Sequence, residues 1–391
     1  MIYLDAHATT PVDPRVLDAM LPWFRDRAGN ASSVDHVVGR RASEAVDVAR
    51  RQVAALINAS AKDIVFTSGA TEADNLAIKG AIDAVRGRGD HVITVATEHR
   101  AVLDTCERLR ARDIRLTVMP VRGDGLIDLA QLEAAIVPRT ILVSVMAANN
   151  EIGVLQPLEA IGRLTRARQI LFHTDAAQAF GKVPIDVAAM SLDLVSISGH
   201  KIHGPQGVGA LYVRTRQPTV RLTPLFDGGG HEHGVRPGTL NVPGIVGLGA
   251  AAAICGADLA ADAARIGALR DRLLAGLRAA VTGVHVNGSL HARLPHNLNV
   301  SIEGTDETLA SRLEGLAVSS GSACATGSIQ PSHVLRALGV DPARLHGTLR
   351  FGLSRFTTEA EIDQAIAIVR AGVERLRAER STRNVTTTRR S

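Results

Sequence analysis

The length, composition and charge of the chain already exclude several classes of protein. Its 391 residues can bury a large core and predict two domains. Only 3% of the residues are aromatic, which argues against a base-stacking nucleic-acid surface. The net charge of +5 collects largely near the C-terminus, so nucleic acid is expected only as an indirect partner.

Cysteine usage and the N-terminal sequence predict a cytoplasmic protein. The three cysteines, Cys106, Cys255 and Cys324, cannot build a disulfide framework, and the first five residues show no signal peptide. No apolar run approaches the ~20 residues that cross a bilayer. The Ala- and Gly-rich stretch 246–255 is interpreted as a buried helix. We therefore expect a reducing compartment and no membrane contact.

Apolar runs alternate with amphipathic helical patterns over the first two thirds of the chain. The predicted strands are 64–67, 91–96, 115–118, 141–146, 170–175, 194–198 and 209–213. The predicted helices are 43–57, 71–86, 129–135 and 158–168. This alternation predicts an α/β fold with a mostly parallel, seven-stranded sheet, in which ligands bind at the carboxyl ends of the strands.

Helical patterns dominate the last third of the chain. Helices are predicted at 243–255, 259–281 and 358–380, with shorter elements between the last two. We expect a large domain over residues 15–257 and a smaller α+β domain formed by 1–14 and 258–375. Residues 376–391 are rich in arginine and are predicted to form a basic, disordered tail.

Lysine is rare in this chain, which draws attention to Lys201. Of 44 basic residues only four are lysine, the others being Lys62, Lys79 and Lys182. A guanidinium group stays protonated, whereas a desolvated lysine amine can lose its proton and attack an aldehyde. Lys201 is therefore a candidate for amine chemistry.

Polar residues at two further strand ends suit a phosphorylated aldehyde cofactor. Thr71 follows a strand and opens a helix, and Asp175 ends a buried strand with Gln178 three residues later. Taken alone, Thr71 is better explained as a plain helix N-cap, whereas for Asp175 a helix N-cap and a site residue are about equally well supported. Lys201 lies 26 residues beyond Asp175, just after the next strand, and this combination predicts pyridoxal 5′-phosphate.

Two residues that flank Lys201, and a distant cysteine, complete the sequence pattern. Ser198 and His200 are candidates to hold the cofactor phosphate. Cys324 lies among Ser, Gly, Ala and Thr residues that pack poorly as a core, which favours a thiol nucleophile over a buried structural cysteine. The pairs His200 with His203 and His231 with His233 lack further ligands at a recognised spacing, and no metal is predicted.

Nine stretches occur in the order found in one family of enzymes. They are 3–13, 67–72, 96–102, 149–153, 173–178, 198–201, 236–241, 320–324 and 349–359. Residues 1 to about 375 thus resemble a NifS/IscS-like cysteine desulfurase of the class V aminotransferase family, in the group with a long catalytic loop around Cys324. The resemblance implies the pyridoxal-phosphate fold of type I and a homodimer.

The resemblance also implies roles for particular residues. Lys201 would carry the cofactor as an imine, Asp175 would pair with its ring nitrogen and Gln178 with its phenolic oxygen. His99 would stack on the ring and take part in proton transfer.

Other implied roles concern the phosphate, the substrate and sulfur. The phosphate site would comprise Ala70, Thr71, Ser198, His200 and, from the neighbouring subunit, Thr239. Asn150 and Arg350 would bind the substrate carboxylate, since a guanidinium forks onto a carboxylate through two hydrogen bonds. Cys324 would accept the sulfur.

The resulting functional prediction is conversion of L-cysteine to L-alanine, with a Cys324 persulfide that is delivered to an acceptor protein. A selenocysteine lyase and a sulfur-relay scaffold acting through partner or nucleic-acid binding are the alternatives. Iron–sulfur cluster assembly, tRNA thiolation and sulfur modification of DNA all stay open as destinations of the sulfur.

Two positions depart from the family pattern, Ala31 where proline is common and His233 where arginine is usual.

Overall fold

The computed structural model describes residues 1–320 and 332–388. Its strands are β1 (Ile2–Tyr3), β2 (Ile64–Thr67), β3 (His91–Val95), β4 (Arg115–Met119), β5 (Thr140–Ser144), β6 (Leu171–Asp175), β7 (Leu194–Ser198), β8 (Gly209–Val213), β9 (Val284–Val286), β10 (Asn297–Ile302), β11 (Leu316–Ala317) and β12 (Thr348–Gly352). Its α-helices are α1 (Pro14–Arg25), α2 (Val37–Ala55), α3 (Ala70–Asn75), α4 (Ala81–Val85), α5 (Arg100–Leu109), α6 (Leu129–Ala135), α7 (Leu158–Ala167), α8 (Val242–Ala280), α9 (His333–Ala337), α10 (Pro342–Leu345) and α11 (Glu359–Thr388).

The predicted seven-stranded sheet is confirmed. Its strand order is β2-β8-β7-β6-β5-β3-β4, and β8 pairs antiparallel with both of its neighbours while the other pairs are parallel. The carboxyl ends of six strands and the amino end of β8 therefore meet at one edge. This edge is where an α/β sheet binds ligands.

Both faces of the sheet are covered by helices. Successive strand residues alternate between two cores, as a period of two requires. Phe66 and Phe172 pack on one side with α1, α2, α7 and the first part of α8. Val65 and Leu171 pack on the other side with α3, α4 and α5. The predicted strands agree closely with this arrangement, whereas α1 and α5 were not predicted as helices.

Helix α8 is continuous over 39 residues, so the prediction of two separate helices was wrong. Its residues up to Cys255 pack in the core of the large sheet, and those from Ile266 pack in a second core. This division supports the domain boundary that we propose near residue 257. By length and composition α8 could cross a membrane, since its most apolar 18-residue stretch has a mean hydropathy of 1.7. Of that stretch, 44% is buried inside the protein, and we interpret α8 as a core helix.

The second core belongs to the smaller domain. A three-stranded antiparallel sheet has the order β12-β10-β9, and β1 pairs in parallel with β11. Leu4 packs with Leu298 and Phe351 in this core. The N-terminal residues therefore pack with the C-terminal part of the chain, which supports the smaller domain that we propose from 1–14 and 258–375.

Helix α11 corrects the prediction of a disordered tail from residue 376. The helix continues to Thr388, and Leu376 is buried. The Arg377 guanidinium donates to the carbonyl oxygens of Thr282 and Glu303 at 2.9 and 2.5 Å, which attaches this part of the helix to the smaller domain. Residues 389–391 lie outside the described residues.

Candidate active site

A cavity of about 470 Å³ lies at the carboxyl edge of the large sheet. The predicted site residues that line it are Ala70, Thr71, His99, Asn150, Asp175, Gln178, Ser198, His200 and Lys201. The loops after β2, β3, β5, β6 and β7 each contribute at least one of them. Residues that are separated by up to 131 positions in the sequence are thus brought to one place because the strand ends share one edge.

Lys201 lies in a short 3₁₀ turn, Gly199–Lys201, directly after β7. Its Nζ donates hydrogen bonds to the carbonyl oxygens of His7 and Ala8, at 2.5 and 2.8 Å. These two hydrogen bonds position the amine at the wall of the cavity.

Asp175 and His99 face the same cavity from the end of β6 and from the loop after β3, the two strands that flank β5. Oδ1 of Asp175 accepts the backbone N–H of Ala177 at 2.8 Å, which orients the carboxyl group. Burial raises the pKa of Asp175, while the Ala177 hydrogen bond and the charge of Lys201 act in the opposite direction. Nδ1 of His99 accepts the backbone N–H of Ala101 at 3.1 Å and caps α5, so the neutral ring carries its proton on Nε2.

Two further carboxyl groups lie close enough to Asp175 for its charge to act on them. Asp74 and Glu98 are fully buried, and burial raises the pKa of each well above its usual range. Oε1 of Glu98 accepts the backbone N–H of Met146 at 2.6 Å. Burial thus favours the protonated form of both groups. Sequence reasoning missed them because neither position indicates burial.

Gln178 is held by His7, a residue that the sequence reasoning left without a role. Gln178 Nε2 donates to the His7 carbonyl oxygen at 3.0 Å, and its Oε1 lies 2.9 Å from His7 Nδ1. His7 Nε2 accepts from Asn297 Nδ2 at 2.9 Å, so the proton of the neutral ring lies on Nδ1. Burial and the charge of Arg350 lower the pKa of His7 and keep the ring neutral. The only sequence signal was its place in the matched stretch 3–13.

The opposite end of the cavity is suited to a phosphate. The first turn of α3, with Thr71, points backbone N–H groups at the cavity. Gly69 and Gly207 have φ values of +153° and +75°, and a Cβ at either position would project into open space. This is the space that a group cradled by the backbone would fill.

His200 adds a neutral imidazole at this end. Its Nδ1 lies 3.0 Å from Thr9 Oγ1, which also accepts from Gln206 at 3.3 Å. These contacts fix the ring beside the cavity. Burial and the charge of Lys201 lower the pKa of His200 to about 4. A neutral ring is thus available near the phosphate end.

Arg350 lies behind the cavity wall, not on it. Its guanidinium is 2% exposed and forms an ion pair with Asp5, with Nη2 at 2.9 Å from Oδ1. Nη1 donates to the carbonyl oxygen of Asn150 at 3.2 Å, and the Asn150 side chain lines the cavity. The two predicted carboxylate ligands are therefore adjacent, but Asp5 is a partner that the sequence did not reveal.

Thr239 is exposed and lies outside the cavity of its own chain. The segment before it is fixed at two points. Glu232 binds Arg50 through both carboxylate oxygens at 2.7 and 2.6 Å, and Arg236 forms an ion pair with Glu72 at 2.7 Å. His233, one of the two departures from the family pattern, is exposed beside the Glu232 anchor and leaves it intact.

The departure at Ala31 lies in a different place, where the side chain is partly buried against the core of the large sheet.

Cys324 lies outside the described residues. Cys106 and Cys255 are buried and free, and burial raises the pKa of both thiols. Neither is therefore suited to be a thiolate nucleophile.

Comparison with known proteins places the chain in a family. Residues 2–365 match the model of the class-V aminotransferases. The chain belongs to the class-V aminotransferase family. The cysteine desulfurase IscS of Anaeromyxobacter sp. (strain Fw109-5) is 54% identical over 379 residues, which cover 96% of this chain and 93% of that protein. The predicted resemblance is confirmed.

Two solved structures share the fold over nearly the whole chain. A NifS-like protein superposes with a TM-score of 0.88 at 37% identity, covering 95% of this chain and 98% of its own. SspA in complex with cysteine superposes with a TM-score of 0.80 at 37% identity, covering 92% and 100%. The predicted α/β fold of the type I pyridoxal-phosphate enzymes is confirmed.

Pyridoxal phosphate is the cofactor of this family, and the cavity fits it. The backbone cradle at Gly69 and Gly207 and the neutral His200 suit the phosphate. The Lys201 amine suits the aldehyde, and the buried Asp175 carboxyl suits a protonated ring nitrogen. The cavity thus presents one complementary group to each polar part of the cofactor.

Proposed function

We propose that this protein is a pyridoxal-phosphate-dependent cysteine desulfurase. It converts L-cysteine to L-alanine and transfers the sulfur to Cys324 as a persulfide. The observation that carries the proposal is the convergence of Lys201 and the buried Asp175 in one cavity, in a chain whose curated relatives are cysteine desulfurases.

Asp175, Gln178 and His99 would hold the cofactor ring. The Asp175 carboxylate stabilises a protonated ring nitrogen, because the cation lowers the cost of the buried charge. Gln178, fixed by His7, would donate to the phenolic oxygen, and His99 would cover the ring. Bound pyridoxal phosphate supplies an electron sink next to the substrate α-carbon.

Lys201 would carry out the proton transfer. Once the substrate amine has displaced it, its Nζ takes the α-proton of cysteine and returns a proton on the way to alanine. The neutral carbonyl partners of Nζ, on His7 and Ala8, suit this exchange because they accept from either protonation state.

Cys324 would accept the sulfur. Its thiolate attacks the substrate Sγ, the Cβ–S bond breaks, and the electron pair of that bond stays with the carbon skeleton that becomes alanine. The persulfide is then passed to an acceptor protein. The two described cysteines do not compete for this role because their thiols are buried.

We also propose a homodimer in which Thr239 contacts the phosphate in the partner's cavity. Thr239 is exposed, and the Glu72–Arg236 ion pair fixes its segment beside the cavity mouth. Phe226, 56% exposed, adds apolar surface to the same segment.

Buried free thiols at Cys106 and Cys255 agree with the reducing cytoplasm that we propose as the compartment.

The nucleophile can be tested in the holoenzyme by substituting Cys324 with Ser. The variant should keep the yellow colour of the lysine-bound cofactor, because Cys324 does not hold it, and should lose alanine release from L-cysteine. Cys106→Ser is the matched control and should turn over normally. Wild-type turnover in Cys324→Ser would show that the sulfur leaves by another route.

A further inference from the structure

Asp5 is paired with the guanidinium group of Arg350, the group to which the substrate carboxylate binds in the proposed function. Nη2 of Arg350 lies 2.9 Å from Asp5 Oδ1 and 2.9 Å from Ser319 Oγ. Ser319 Oγ in turn lies 2.9 Å from both carboxylate oxygens of Asp5. Asp5, Ser319 and Nη2 of Arg350 are therefore each hydrogen-bonded to the other two.

One donor of the guanidinium is unused. Nε of Arg350, on the same edge as Nη2, is buried and has no hydrogen-bond partner among residues 1–320 and 332–388. Nη1 donates to the Asn150 carbonyl oxygen, and the Asn150 side chain lines the cavity. Arg350 therefore lies one residue behind the cavity, and Asp5 holds the edge at which a carboxylate would bind through both Nε and Nη2.

The charges at this position do not favour two carboxylates. The side chain of Arg350 is 2% exposed and that of Asp5 is 18% exposed, so solvent screens their interaction only weakly. One guanidinium and one carboxylate are neutral together. A substrate carboxylate that binds Arg350 adds a second negative charge and must weaken the Asp5 contact or be repelled by it.

We propose that Asp5 is a specificity-determining counter-ion that competes with the substrate carboxylate for Arg350. It keeps the buried guanidinium paired before substrate arrives and weakens the binding of any ligand that carries a carboxylate. This inference rests on the role of Arg350 in the proposed function. Asp5 touches neither cofactor nor reacting atoms and acts through Arg350.

The test measures binding, so that chemistry at Cys324 plays no part. The holoenzyme is titrated with L-alanine, which carries an amine and a carboxylate, and with ethylamine, which lacks the carboxylate, and the cofactor absorbance gives both Kd values. Asp5→Asn should bind L-alanine about fivefold more tightly than wild type, because a nearby negative charge is removed. The Kd for ethylamine should not change.

Two matched variants separate charge from other causes. Asp90→Asn removes the same charge from an exposed ion pair with Arg115 and Arg139, and should leave both Kd values unchanged. Ser319→Ala removes hydrogen bonds from the Asp5–Arg350 pair without removing charge, and should change the L-alanine Kd by less than about twofold. Asp5→Ser carries the same prediction as Asp5→Asn should the latter not fold.

The inference is overturned if neither neutral Asp5 variant binds L-alanine more tightly, or if ethylamine binding tightens equally. Failure of the proposed function would look different. Wild-type holoenzyme would then release no alanine from L-cysteine, while the L-alanine and ethylamine Kd values of the Asp5 variants would still decide whether Asp5 competes at Arg350.

Discussion

Lys201 and Arg350 both bring a positive charge to the candidate active site, but their surroundings differ. Lys201 Nζ donates to the neutral carbonyl oxygens of His7 and Ala8, whereas Arg350 is paired with the carboxylate of Asp5. A lysine amine can form an imine with an aldehyde, whereas a guanidinium stays protonated and binds through its charge. Lys201, directly after β7, thus presents a group for chemistry, and Arg350, on β12, presents a group for electrostatic recognition.

The largest effect should follow when the Lys201 amine is replaced by a permanently charged group. Lys201→Arg keeps the positive charge but cannot lose its proton, so it should be as inactive as Lys201→Ala. We expect alanine release to fall by about 10³-fold or more in both variants, with loss of the yellow absorbance. Spectra and steady-state rates measure this.

The control is Lys62→Ala. Lys62 is an exposed lysine in the 3₁₀ turn before β2, and the variant should behave as wild type. Substantial turnover by Lys201→Arg would mean that the position requires only charge. The contrast between a chemical lysine and a binding arginine would then be lost.

Glu151 extends the comparison to a buried acid. Its Oε2 accepts from Ser332 Oγ at 2.5 Å, and burial raises its pKa to about 7. The folded state therefore holds a proton that the unfolded chain releases near pH 4.5, so this group lowers stability as pH rises from about 4.5 to about 7. Glu151→Gln should remove this loss.

The effect can be measured by urea unfolding at pH 5 and at pH 7.5. Relative to wild type, Glu151→Gln should gain about 2 kcal/mol more in the free energy of unfolding at the higher pH than at the lower. A difference between the two proteins that is the same at both pH values would show that Glu151 titrates normally.

A smaller effect is expected when Arg350 becomes a point charge. Arg350→Lys keeps the charge beside Asp5 but loses the planar fork that matches a carboxylate. The KM for L-cysteine should rise about tenfold while kcat changes less, because one hydrogen bond to the carboxylate is lost and the reacting atoms are untouched. Steady-state kinetics would contradict this account if KM stayed at the wild-type value.

Local patterns revealed most of the elements but few of the partners. The strands of the large sheet were predictable because each is a short buried run followed by polar residues, as at Asp175 and Ser198. Helix α8 was divided wrongly near Gly256, because the Ala-rich residues on both sides of it continue the helix through that position.

The long-range contacts lay beyond sequence reasoning. Asp5 and Arg350 are 345 positions apart, and His7 and Gln178 are 171 apart. No local pattern joins such pairs, which depend on the N-terminal residues packing with the smaller domain. The same limit applies to the burial of Asp74 and Glu98, because the residue type of an acid does not reveal whether the fold buries it.

The most direct test of the proposed activity follows the sulfur atom itself. Wild-type holoenzyme is mixed with one equivalent of L-cysteine without reductant, and alanine is measured beside mass spectrometry of the peptides that contain Cys106, Cys255 and Cys324. The account predicts alanine in step with one added sulfur on the Cys324 peptide alone. Alanine without sulfur on that peptide, or sulfur on Cys106 or Cys255 instead, would contradict it.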